Sequence, residues 1–253
     1  MSGRSCLRTL AFFNQHFCPL LSMINVYVDK GINIDNPICQ YMRWCYFKAL
    51  IDNNRYTVKR KKEFDDEQET HLPLIETLPL KIAGQEKDER LWENHKKLMD
   101  EYEACGDLPT ACWSYDILEK EWKWKQYADK DGVCIISSIR RLMNSLSSSK
   151  YEIQCGKVNY TKYRPYKELE KQLYTKNWMY RDDCEMRLYF TLNNPTTDID
   201  TFNPSEEKRI EIDVNPREMI DYVIMSPFTD ITTMKERRSY LENKGITIKS
   251  HLR

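Results

Sequence analysis

Asn177-Trp178-Met179-Tyr180-Arg181-Asp182-Asp183-Cys184-Glu185-Met186-Arg187-Leu188-Tyr189-Phe190 begins polar and aromatic and then alternates. In a strand, residues two apart share a face. The alternation predicts a strand with Asp183, Glu185 and Arg187 on one face and Cys184, Met186 and Leu188 on the other. The apolar set is a core face. The charged set is an acid, an acid and a base at fixed spacing on a rigid element, a suitable place for chemistry. The structural alternative is the solvated outer face of an edge strand carrying an ion-pair row.

Outward from this stretch, the pattern mixes elements without a regular strand-helix-strand repeat. Arg55 to Lys59, Thr110 to Tyr115, Gly132 to Ile136, Arg209 to Val214 and Tyr222 to Met225 read as strands. Tyr151 to Tyr160 is extended, and Gly245 to Lys249 adds an edge strand. Phe47 to Ile51, Glu86 to Cys105, Ile117 to Ala128, Ile139 to Leu146, Pro165 to Tyr174 and Thr229 to Asn243 read as helices. Asp35-Asn36-Pro37 carries a helix-start signal, Asn53-Asn54 a stop, and Pro216 opens a short helix. Glu63 to Glu69, His71 to Gly84 and Asn193 to Ser205 read as irregular. The expected fold is α+β, a mixed, mostly antiparallel sheet with flanking helices. It occupies one domain, residues 37–253, behind an N-terminal arm or helix at residues 1–36. The apolar run Leu10-Ala11-Phe12-Phe13 after Arg4 and Arg8 resembles a signal peptide. Asn14-Gln15-His16 breaks it far short of the roughly 20 apolar residues of a membrane span.

Composition excludes some chemistry. The chain of 253 residues holds 39 acidic and 39 basic side chains, so only local patches can argue for nucleic acid. Glycine is scarce, and neither G-x-G-x-x-G nor G-x-x-x-x-G-K-[ST] occurs, which argues against Rossmann and Walker sites. Nine cysteines without a C-x-x-C pair fit reduced thiols and a cytoplasmic location. The four histidines are isolated, and no zinc site is expected.

Two further clusters carry candidate chemistry. Trp124 and Tyr127 lie three apart, so on a helix they share a face and can wall a planar ring. The alternative is an amphipathic helix docked on the core. From Lys150 to Arg181 the chain is basic and rich in tyrosine, a pattern suited to phosphate contact with base stacking. The alternative there is a solvated helix with half-buried tyrosines.

Several stretches together resemble a bacterial family known as domain of unknown function 2971: Tyr41-Met42-Arg43-Trp44, Phe64-Asp65-Asp66 with Glu69, Cys112-Trp113-Ser114, Trp124-Lys125-Gln126-Tyr127-Ala128, Gly132-Val133-Cys134-Ile135, Lys157-Val158-Asn159-Tyr160, Asp183-Cys184-Glu185-Met186-Arg187, and Ile220 to Pro227. That family often has a proline after the Phe-Asp, absent here. Its layout is similar to that of the ADP-ribosyltransferase superfamily. The resemblance implies an ADP-ribosyltransferase-like fold and NAD as substrate. Glu185 would be the catalytic carboxylate and Asp183 its companion. Arg43 would contact the NAD phosphates or ribose, Ser114, Tyr127 and Trp124 the nicotinamide, and Arg187 would complete the cofactor-binding set. The usual Ser-Thr-Ser is absent around Ser114. The implied activity is transfer of ADP-ribose to a macromolecule, RNA, DNA or protein, in a toxin or phage-defence setting. An antitoxin or inhibitor protein is then a possible partner, and no membrane or metal is involved. Two other readings stay open: a non-catalytic binding module of a defence or toxin-antitoxin operon, and a nuclease using Asp183 and Glu185 with a divalent metal.

Overall fold

The computed structural model describes residues 26–64, 93, 96, 108–146, 151–162, 173–192, 209–249 and 251. Among the described residues there are twelve strands: β1 (Val26–Val28), β2 (Pro37–Met42), β3 (Arg55–Arg60), β4 (Pro109–Ser114), β5 (Val133–Ser138), β6 (Tyr151–Lys157), β7 (Asn159–Thr161), β8 (Thr175–Asn177), β9 (Glu185–Leu192), β10 (Arg209–Asp213), β11 (Tyr222–Met225) and β12 (Ile248–Lys249). Ten form one open sheet in the order β1-β6-β9-β4-β2-β5-β11-β12, with β3 also pairing β4 and β10 pairing β3. Only β1 with β6 and β11 with β12 are parallel within it. The α+β, mostly antiparallel expectation is met.

One sheet face is closed by helices α1 (Trp44–Asn53), α3 (Ile139–Ser145), α4 (Pro216–Met219) and α5 (Ile231–Asn243). Phe47, Leu50 and Leu142 from the helices meet Ile38, Trp113, Ile135, Met186 and Phe190 from the strands in one core. Burying each such side chain contributes about 1.5–3 kcal/mol. The other face is divided. Helix α2 (Glu121–Tyr127) sets Trp124 on Cys39, Tyr41, Cys134 and Ile136, with Ala128 just past its end. Beside this apolar half, the same face carries Ser114, Glu185 and Arg187. The register runs Cys39 to Ser114 to Glu185 across three strands, so all three side chains point the same way.

The helix start expected at Asp35-Asn36-Pro37 is a strand instead. Pro37 opens β2 opposite Ser138, the position where a missing N–H costs a ladder least. Helix α1 ends where expected, with Asn54 in the left-handed conformation at φ 55°. The helix expected from Ile117 begins only at Glu121, because Asp116 accepts the Leu118 N–H at 3.0 Å and holds a turn. Val26–Val28, placed in the N-terminal arm by the sequence reading, pairs with β6 at the sheet edge. The helix Glu86 to Cys105 lies outside the described residues apart from 93 and 96, both helical. Most of the helix Pro165 to Tyr174, the loop Asn193 to Ser205 and the first 25 residues also lie outside them.

Candidate functional site

The charged row is built differently from the sequence expectation. Residues Trp178–Asp183 form a 3-10 turn, and Cys184 sits in the left-handed region at φ 49° before β9 begins. Glu185 and Arg187 are on the strand; Asp183 is the last residue of the turn. Nor is the row a solvated edge, because β9 lies between β6 and β4. Glu185 is 6 % exposed and Arg187 is 0 % exposed.

Each charge has a partner. Arg187 Nε donates to Glu185 Oε1 at 2.6 Å and its guanidinium donates again to the Leu173 carbonyl at 2.9 Å. Lys176 Nζ, from β8, donates to Glu185 Oε2 at 3.1 Å and to Asp183 Oδ2 at 2.9 Å. Strand β8 pairs with β7 in a two-stranded sheet that brings Lys176 over β9. The Tyr160 hydroxyl accepts the Glu185 backbone N–H at 2.7 Å. Gly156 faces Arg187 on β6, and a Cβ there would stand 2.6 Å from the Tyr174 ring. The absence of a side chain at residue 156 is therefore what lets Tyr174 close the site from that side.

Burial and partners push the two carboxyls apart. At Glu185, burial raises the pKa, but the charges of Arg187 and Lys176 and the Arg187 hydrogen bond together hold it below the ordinary 4.5. At Asp183, burial also raises it; Lys176 only partly offsets this, and the neighbouring Glu185 charge adds to it, so Asp183 titrates above the ordinary 3.8. Glu185 is a fixed anion and Asp183 the carboxyl nearer to holding a proton. Such a split is how paired carboxylates divide acid and base roles.

Ser114 is part of this assembly. Its Oγ lies 2.9 Å from the Asp183 carbonyl and accepts from Lys123 Nζ at 2.8 Å. Lys123, 2 % exposed, also donates to the Asp183 carbonyl at 3.1 Å. Tyr127 lies near Asp183 and Glu185 and is 39 % exposed. Burial of its hydroxyl and the nearby Asp183 and Glu185 charges keep it a phenol well above its ordinary range.

The structure thus brings together Asp183, Glu185, Arg187, Ser114 and Tyr127. It places Arg43 and Trp124 elsewhere. Arg43 is exposed and 3.8 Å from Asp129. From Cys39, which is in register with Ser114, the chain runs roughly 13 Å further to Arg43, away from Glu185. Trp124 is 1 % exposed and packs edge-on against Tyr41 with centroids 4.8 Å apart. It is core, and the paired aromatic wall with Tyr127 does not form; Tyr127 meets Trp122 instead, at 6.1 Å. Arg187 has no open face for a phosphate and acts by fixing Glu185. The sequence reading missed Lys123, and it noted Lys176 only as one of many cations. A basic residue at either position looks like any solvated lysine, since its partners lie on other elements.

Among the described residues no group of His, Cys, Asp and Glu is arranged to hold a metal ion, and no helix is long and apolar enough to cross a membrane. No protein-family model, no curated protein and no solved structure matches this chain.

Proposed function

We infer that this chain is an NAD-dependent ADP-ribosyltransferase acting on a macromolecule, with Glu185 and Asp183 as its working carboxylates. The motif resemblance supplies the reaction class. The observation that carries the reading is a geometric pair of carboxylates: Glu185, 6 % exposed, is pinned by Arg187 and Lys176, and Asp183, less deeply covered, is held by the same Lys176. Breaking the bond between nicotinamide and ribose develops positive charge on the ribose. A carboxylate fixed in a desolvated site stabilises that charge without reorganising. Arg187 and Lys176 hold Glu185 in one orientation. Asp183, the more exposed of the two, is placed to orient or deprotonate an acceptor. Arg43 has no part in this arrangement. Tyr127 offers a ring for the nicotinamide. A superfamily-like fold, a toxin or defence role and a regulating partner protein belong to the same reading.

The test is incubation of the full chain with labelled NAD, once with total RNA and once with cell lysate. Nicotinamide release and transfer of label are both read. Glu185→Gln removes a buried charge and so needs a circular-dichroism check of folding; Asp183→Asn, at a more exposed carboxyl, is the second variant. Loss of about a hundredfold or more in rate by folded variants is expected. Absence of NAD cleavage by the folded parent protein in both mixtures overturns the reading and leaves a binding module.

A further inference from the structure

Eight large hydrophobic side chains are exposed among the described residues, and Tyr115, Leu118, Tyr127, Trp178 and Met179 are five of them. Tyr115 and Leu118 lie on the loop after β4, Trp178 and Met179 on the turn that ends at Asp183, and Tyr127 on α2 near the same carboxylates. Tyr115 N–H donates to the Cys184 carbonyl at 2.9 Å, and Lys120 Nζ donates to the Asp182 carbonyl at 3.2 Å, which ties the 115–120 loop to the 178–183 turn. A grouped exposed apolar patch marks a binding surface.

Two of these rings carry cations. Lys162 Nζ lies 5.4 Å and the Arg181 guanidinium 5.1 Å from the Trp178 ring centre, with Trp178 40 % exposed. Lys157 Nζ lies 4.8 Å from the ring centre of Tyr115. No carboxylate within the described residues is in ion-pair contact with Lys157, Lys162 or Arg181, whereas Lys120 on the inner side is paired with Asp116 at 2.8 Å. The rim therefore sets half-exposed aromatic faces beside ammonium and guanidinium groups that meet no carboxylate among the described residues, and leads inward through Tyr180, which lies under Lys176 at 4.8 Å, to Asp183.

We propose that this rim binds single-stranded nucleic acid, with a base stacked on Trp178, a second on Tyr115, and backbone phosphates on Lys162, Arg181 and Lys157. Every base offers a π-face and every linkage an anion, so this spacing of rings and cations suits an unpaired strand. A duplex hides its base faces and a folded acidic protein offers no planar rings in series. On the transferase reading, the strand is the acceptor, and its reacting group is presented to Asp183.

The experiment uses the full chain and a short fluorescein-labelled oligouridine, followed by anisotropy over a range of salt concentrations. The oligonucleotide is expected to bind more tightly than a duplex of equal length. Trp178→Ala weakens binding about tenfold. Lys162→Ala combined with Arg181→Ala lowers the slope of log affinity against log salt by roughly 1.4, the value for two phosphate contacts on a single strand. No binding at low salt by folded protein, equal affinity for duplex, or unchanged binding by both variants each overturns the proposal. NAD cleavage is read in the same samples. Cleavage with label carried to lysate protein and not to the oligonucleotide overturns this inference and leaves the transferase reading standing. Binding that depends on Trp178 without any NAD cleavage supports the rim and overturns the transferase.

Discussion

Strands β9 and β10 are written in nearly the same way and end in opposite environments. Glu185-Met-Arg187-Leu and Arg209-Ile-Glu211-Ile-Asp213 both alternate charge with apolar side chains. Both send the apolar set into one core: Met186 and Leu188 from β9, Ile210 and Ile212 from β10. On β10 the charged face is open. Arg55 on β3 donates to Glu211 at 2.8 Å and lies 3.5 Å from Asp213, with all three side chains more than half exposed. On β9 the charged face lies under Lys176, Tyr174 and the 178–183 turn, and its ion pairs are 9 % exposed or less at every member except Asp183 at 12 %. The first row is solvated and adds little. The second is desolvated, so each charge depends on its partners. Alternation reveals which residues share a face; whether that face is covered depends on the rest of the chain.

The sharpest way to break the contrast is to remove one charge from each row. Glu185→Gln leaves Arg187 and Lys176 without their shared anion, and a loss of about 3–5 kcal/mol is expected in a denaturant titration. A loss below the reach of the titration would mean that β9 is as solvated as β10. Next in size is Gly156→Val. Its new side chain meets the Tyr174 ring at the lid of the β9 row, and about 1–3 kcal/mol is expected from overpacking, read from the same titration. An unchanged midpoint would show that Tyr174 does not cover the row.

Acid separates the two carboxyls of the β9 site by sign. The depressed Glu185 contributes stability that is complete above its ordinary 4.5 and lost as pH falls toward its folded value. The raised Asp183 acts oppositely: as pH falls through its folded value, above the ordinary 3.8, the folded state takes up a proton first and gains. Stability against pH should therefore pass through a shallow maximum on the acid side and then fall. Asp183→Asn should remove the rise and Glu185→Gln flatten the fall. A curve unaltered by either variant would show that neither carboxyl is perturbed by folding. Smallest of all is Arg55→Ala in the open row, for which no measurable shift of the unfolding midpoint is expected; a clear shift would make β3 and β10 a second buried row.

Of the candidate site, the sequence showed the part that is local. Glu185 and Arg187 share a face because a strand alternates, and that followed from the residues alone. Asp183 was placed on the same strand face, yet it closes the preceding turn; the left-handed Cys184 breaks the strand, and a cysteine gives no warning of positive φ as glycine would. Trp124 and Tyr127 were paired by helical spacing, and the short helix instead turns Trp124 down onto Tyr41 and leaves Tyr127 half-exposed. Arg43 was joined to Glu185 by resemblance alone, and the register of β2 against β4 carries it the other way.

The sequence by itself determined the class of fold, most strands and the helix stop at Asn54, since period, length and turn chemistry are properties of neighbouring residues. Only the tertiary structure decided that β9 is central, that Lys176 and Lys123 meet Asp183 and Glu185, and that Gly156 admits Tyr174 over the row. Burial and charge pairing come from segments distant in sequence. The same alternating string therefore forms a solvated edge at β10 and a desolvated ionic site at β9.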